Sequence, residues 1–238
     1  MQGEWMALSN ADDFGMDAYR VAPNGDAQAP TIIVLHEIFG VNEAMRNVAH
    51  NLALEGFEVL VPDLFWRVSP RISLDYTEPD RSRAGAIMRD FDTDLGLADI
   101  GRAIAWLRQQ RADHRLAAIG FCLGGKLATI LGARGDIACG VSFYGVQLNG
   151  YVDEIARAKS RLLLHFGERD TQIPLELVHK IEAAARDNPK VEVCLHPGAM
   201  HGFFNPARAE RHHPEAASRA GIRTLDVLRE VLGTPAAP

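Results

Sequence analysis

Two apolar runs, "TIIVLHE" (Thr31 to Glu37) and "EVLVPDLF" (Glu58 to Phe65), constrain this chain more than any other feature. Neither alternates apolar with polar residues, so each reads as a strand covered on both faces, as strands of a parallel sheet are. Parallel neighbours need a crossover. "NEAMRNVAHNLALEG" supplies one, running from an Asn42 cap to a Gly56 stop with Met45, Val48 and Leu52 on adjacent turns.

The alternation continues to the end of the chain. "DTDLGLADIGRAIAWLRQQ" places Leu97, Ile100, Ile104 and Leu107 on one helical stripe, with charges such as Arg108 and Arg111 expected on solvated faces. "LAAIG", "GVSFYG", "RLLLHFGE" and "VEVCLHP" read as further strands. "KLATILGAR", "PLELVHKIEAAARD" and "PEAASRAGIRTLDVLREVLG" read as helices. The expected class is α/β, a mainly parallel sheet with helices on both faces. No repeat or linker divides the 238 residues, so a single domain over 1–238 is expected, with the Pro-rich tail 233–238 frayed.

Composition narrows the partners. A net charge of −6 offers no basic footprint for nucleic acid, and no stretch is long and apolar enough for a membrane span. A cytoplasmic protein acting on a small molecule is expected. The three cysteines, Cys122, Cys139 and Cys194, contain no C-x-x-C pair, so neither a disulfide framework nor a thiolate zinc site is indicated. No metal or other cofactor is expected.

Cys122 stands apart from the other two. Gly120-Phe121-Cys122-Leu123-Gly124 has the spacing of Gly-x-Ser-x-Gly, the strand-to-helix turn that exposes the nucleophile of α/β-hydrolases, with sulfur in place of oxygen. An apolar strand precedes it and a helix pattern follows. A helix N-terminus aimed at the sulfur favours the thiolate. In this template an acid and then a histidine follow the nucleophile, each in a loop after a later strand. "LLLHFGERDTQIP" offers Asp170, with Glu168 its nearest rival, and "VEVCLHPGAMHGFF" offers His201. Of the other histidines, His165 lies inside an apolar strand, His196 near a strand end, and His212 and His213 on the approach to a helix.

With Cys122, Asp170 and His201 in place, the chain resembles the dienelactone hydrolase family. The likeness spans nearly its whole length, through "HEIFGVNEAMRNVAHNLALEGFEVLVPDLF", "GFCLGG", "FYG", "HFGERDTQIP" and "GAMHGFF". It implies a Cys-His-Asp triad that opens a carboxymethylenebutenolide-type lactone, or another activated ester, through a thioester. It also implies that Glu37 of "HEIFG" helps to activate the thiol. The hydrolase template places the oxyanion donors at the amides of Leu123 and Ile38. Arg81 and Arg83 are the candidates for holding a substrate carboxylate, and Tyr144 and Phe39 for lining the pocket. Family members of the dienelactone pattern carry a second arginine four residues after the histidine. This chain has Asn205 there, with Arg208 nearby. An esterase or thioesterase taking a neutral acyl substrate is the alternative reading.

Overall fold

The computed structural model describes residues 2–8, 15–23, 29–111 and 115–233. Apart from Gly233, the tail expected to fray lies outside them. Two compact units divide the chain, the first reaching Leu116 and the second running from Ala117 to Gly233.

The first unit is built around the two opening runs, which form β3 (Thr31–Leu35) and β4 (Glu58–Pro62) and pair in parallel. The crossover between them is helix α1 (Glu43–Leu54). Asn42 caps it by accepting from the Met45 amide, and Gly56 takes up the left-handed φ of +91° just beyond its end. The helix buries Met45, Ala49, Leu52 and Ala53, and packs on β4. Two short strands not read from the sequence, β1 (Glu4–Ala7) and β2 (Asp17–Val21), extend the sheet: β2 pairs antiparallel with β4 and β1 antiparallel with β2, in the order β1-β2-β4-β3. The expected strand over 58–65 stops at Pro62. Asp63 then turns the chain, its carboxylate accepting from the amides of Phe65 and Arg71.

Helices α2 (Asp80–Asp90) and α3 (Thr93–Gln110) complete this unit. Asp92 caps α3, accepting from the amides of Asp94 and Leu95. Arg111 corrects an expectation: rather than lying solvated, it donates to Glu58 at 2.8 Å and to the Ala29 carbonyl at 2.9 Å. The half-buried Glu58, which also binds Arg20, draws the guanidinium in because a carboxylate at a strand start needs charged partners.

The second unit holds strands β5 (Leu116–Phe121), β6 (Cys139–Phe143), β7 (Arg161–Gly167) and β8 (Val191–His196), all parallel and in that order. Its helices are α4 (Leu123–Arg134), α5 (Val152–Ala156), α6 (Leu175–Ala185) and α7 (Pro214–Leu232). Side chains alternate across a strand, so Leu162 and His165 of β7 point to opposite faces. Leu162 presses on α4, where a Cβ on Gly132 would lie 2.5 Å from its Cδ2, while His165 reaches Thr224 of α7. Helices therefore cover both faces, as the mainly parallel pattern requires. Helix α4 is buried along its length from Leu123 to Ala133.

The edge strand β8 is only half-buried. Its Glu192 is gripped by Arg161 of β7 and by two bonds of 2.8 Å from Arg223 of α7. Chiefly through Arg223, these contacts hold the Glu192 carboxyl at about 2, below the usual range.

Candidate active site

Strand β5 ends at Phe121 and α4 begins at Leu123, which leaves one residue to make the turn. That residue, Cys122, has φ 54° and ψ −109°, a conformation that side chains other than glycine's rarely adopt and that costs about 1–3 kcal/mol. Its amide donates to the Phe143 carbonyl at 3.0 Å, and its carbonyl accepts from the amides of Lys126 and Val146. The glycines of the motif have a steric cause. A Cβ on Gly120 would fall 1.9 Å from the Gly124 carbonyl oxygen, and one on Gly125 would fall 2.9 Å from the Gly145 Cα.

No side chain caps α4, so its first amides, Leu123 among them, are available to an anion beside Cys122. Cys122 is buried, 7 % exposed. Burial pushes the Cys139 thiol up to about 12 and the Cys194 thiol to about 11.

Asp170 and His201 follow the ends of β7 and β8, and the two loops are stitched together. The Arg169 amide donates to the Ala199 carbonyl at 2.8 Å, and the Gly198 amide to the Glu168 carboxylate at 2.8 Å. Glu168, the rival acid, is thereby committed to a loop. Asp170 Oδ1 accepts from the amides of Gln172 and Ile173, which leaves Oδ2 to accept from His201 Nδ1 at 2.8 Å. That bond orients the ring, which also interacts with the Cys122 side chain. Burial pulls the His201 pKa down, but the bonds to Asp170 and Cys122 outweigh it and raise the value from 6.5 to about 9. Asp170 and His201 are thus hydrogen-bonded as a pair, with Cys122 among the groups that act on His201.

Tyr144 also belongs to this site. It is fully buried, has a left-handed φ of 43°, and sets its ring edge-on to His201 at 4.9 Å. Phe203 backs it at 5.6 Å. Asn205 is buried and accepts from the Ala207 amide. Arg208, also buried, lies over Gly202, where an added Cβ would be 3.3 Å from a guanidinium nitrogen.

The remaining expected residues, Glu37, Ile38, Phe39, Arg81 and Arg83, belong to the first unit. Glu37 is 2 % exposed, and its carbonyl accepts from His36 Nδ1 at 2.6 Å. The other ring nitrogen of His36 accepts from the Leu64 amide, so the tautomer is set, and burial lowers the ring's pKa to about 4. Phe39 packs edge-on to Tyr76 at 4.6 Å. Arg81 and Arg83 are exposed on the first turn of α2.

Sequence patterning gives no sign of Lys126, since a lysine in a helix reads as solvated, yet it is 6 % exposed. Its position four residues after the nucleophile candidate, in an otherwise apolar helix, is the signal that was available. Among the described residues, no group of three or more His, Cys, Asp or Glu side chains could hold a metal ion. Among the described residues, no helix is long and apolar enough to cross a membrane.

A parallel sheet clad by helices, with a thiol in a left-handed strand-to-helix turn and an acid and a histidine after later strands, defines an α/β-hydrolase. The family model of the dienelactone hydrolases matches residues 16–232, and the chain belongs to that family. It is 35 % identical over 206 residues to a carboxymethylenebutenolidase of Pseudomonas sp. strain P51, covering 86 % of each chain. With a carboxymethylenebutenolidase of Pseudomonas putida it shares 32 % identity over 230 residues, covering 96 % of this chain and 97 % of the other. The crystal structure of a Klebsiella pneumoniae protein assigned as a dienelactone hydrolase matches with a TM-score of 0.81 at 27 % identity, covering 94 % and 97 % of the two chains. Membership of this family makes the protein a hydrolase of the carboxylic-ester class.

Proposed function

We propose that the protein opens a lactone ring of the carboxymethylenebutenolide type by nucleophilic attack of Cys122. The hydrogen-bonded pair of Asp170 and His201, with Cys122 acting on His201, carries this reading. The Cys122 thiol gives its proton to His201 as the sulfur attacks the lactone carbonyl carbon, and the carbonyl π pair moves onto oxygen. The Leu123 amide at the head of α4 receives the oxyanion. Collapse of the tetrahedral species re-forms the carbonyl and breaks the ring C–O bond, His201 giving its proton to the departing oxygen. The product at this stage is a thioester on Cys122. Water then attacks that carbonyl with His201 taking its proton, the C–S bond breaks, and the acid is released. Asp170 stabilises the imidazolium that forms in each half-reaction. Glu37 and Ile38 keep the parts that the family resemblance gives them, as helper of the thiol and as second oxyanion donor.

The names of the two Pseudomonas relatives favour a lactone. Asn205, standing where dienelactone-type members carry arginine, favours the second reading, an esterase or thioesterase for a neutral acyl group. Comparing carboxymethylenebutenolide with neutral aryl esters separates them, because a site that reads the carboxylate prefers the anion. Mass spectrometry of the quenched reaction tests both, since each requires an acyl adduct on Cys122 that is absent in Cys122→Ala. Normal turnover by folded Cys122→Ala overturns the mechanism.

A further inference from the structure

Lys126 is a buried cation that the proposed chemistry does not use. It lies in the first turn of α4 and is 6 % exposed. Its ammonium donates to Gln147 Oε1 at 3.0 Å and lies 5.8 Å from the centre of the Tyr151 ring. Gln147 is itself exposed, and its backbone is left-handed at φ 54°.

Gln147 ends a short loop, residues 144–147, that touches both reacting partners. At its start Tyr144, also left-handed, lays its ring against His201. In its middle Gly145 presses on the first turn of α4, and the Val146 amide donates to the Cys122 carbonyl at 3.3 Å. Two non-glycine residues in this conformation within four persist only where the surroundings hold them. Tyr144 is held by its amide bond to the His165 carbonyl at 2.8 Å. At Gln147 the tie is the side-chain bond from Lys126.

We propose that Lys126 is a positioning residue: with Gln147 it clamps the 144–147 loop to α4, and the loop sets His201 and Cys122 in register. The proposal rests on the reading of Cys122 as nucleophile and His201 as its base. A helix that carries the nucleophile at its N-terminus and the clamp one turn later transmits any loop movement to the distance between sulfur and imidazole.

Three variants test it: Lys126→Met, Lys126→Arg and Gln147→Asn. Asparagine tolerates the left-handed backbone but is one methylene too short to reach the ammonium. Lys126→Met and Gln147→Asn are expected to lower kcat roughly tenfold to a hundredfold while leaving KM little changed, the signature of misplaced reacting groups. Both should also shift the pH dependence of Cys122 alkylation by iodoacetamide, which needs no turnover. Lys126→Arg, which can still donate to Gln147, should recover most of kcat. The double variant should be no slower than either single one, because both break the same bond. Wild-type kcat and alkylation profile in Gln147→Asn overturn the clamp, and that exposed position carries the test alone if Lys126→Met does not fold. A rise in KM at constant kcat also overturns it, since that marks a substrate contact. An absent acyl adduct on Cys122 of the wild-type enzyme instead overturns the underlying reading, and is seen before any variant is made.

Discussion

His201 Nδ1 donates a 2.8 Å hydrogen bond to Oδ2 of Asp170, a carboxylate whose other oxygen is already held by two backbone amides. The carboxylate is therefore fixed before it fixes the ring. This order matters because an imidazole free to rotate presents either nitrogen to its partner.

Asp170→Asn tests that relationship. The amide keeps the shape but loses the charge, so the His201 pKa should fall from about 9. The imidazole also loses the partner that selects its tautomer, and kcat should drop by about 10²–10⁴-fold. Steady-state rates give the second outcome, and NMR titration of the imidazole gives the first.

Gly120→Ala places a Cβ 1.9 Å from a backbone oxygen that cannot step aside, because Gly124 belongs to the same tight turn. The variant should lose about 4 kcal/mol or more, at the upper end for single substitutions, or fail to fold. Urea denaturation of the wild type and variant measures the loss.

Buried histidines should make the protein acid-sensitive. His165 and His196 share a 3.1 Å hydrogen bond. Burial, then the charge of His196, brings His165 to about 3, while burial, then Arg219 and His213, brings His196 to about 4. The unfolded chain takes up protons near pH 6.5 and the folded one does not, so stability falls as pH drops from 6.5 towards 4 and 3. His201 has the opposite sign. Its raised pKa contributes stability in full below pH 6.5 and loses it as pH rises through 9. Urea midpoints measured against pH should show both limbs. The double variant His165→Gln/His196→Gln should be less stable at neutral pH, with a flatter acid limb.

Glu192→Gln should weaken the attachment of the edge strand. It removes the charge that Arg161 and Arg223 share, at a cost of about 1–2 kcal/mol for a half-buried pair. Because this carboxyl titrates at about 2 rather than 4.5, its contribution is full above pH 4.5 and lost as pH falls through 2. Thermal melts at pH 7 and pH 2.5 should differ less in the variant than in the wild type.

Much of the fold was legible because its signals are short-range. Asn42 caps α1 by a bond to a residue three positions away, and Gly56 ends the turn after it by its own φ. The cysteine turn was legible for the same reason: Gly120, Cys122 and Gly124 meet within five residues. Strands β1 and β2 were not, being short and partly polar; β2 forms by pairing with β4 about forty residues on, and β1 by pairing with β2. Arg111 was misread because its carboxylate partner lies 53 residues away.

The sequence by itself determined the alternation of strands and helices and the order of thiol, acid and histidine, since these follow from periodicity and from turns that only certain residues can make. Tertiary structure decided which oxygen of Asp170 meets which nitrogen of His201, that Tyr144 lies edge-on to that ring, and that Lys126 is buried rather than solvated. Those outcomes depend on packing between segments far apart in the chain. A residue's identity cannot disclose its burial until the elements that bury it are in place.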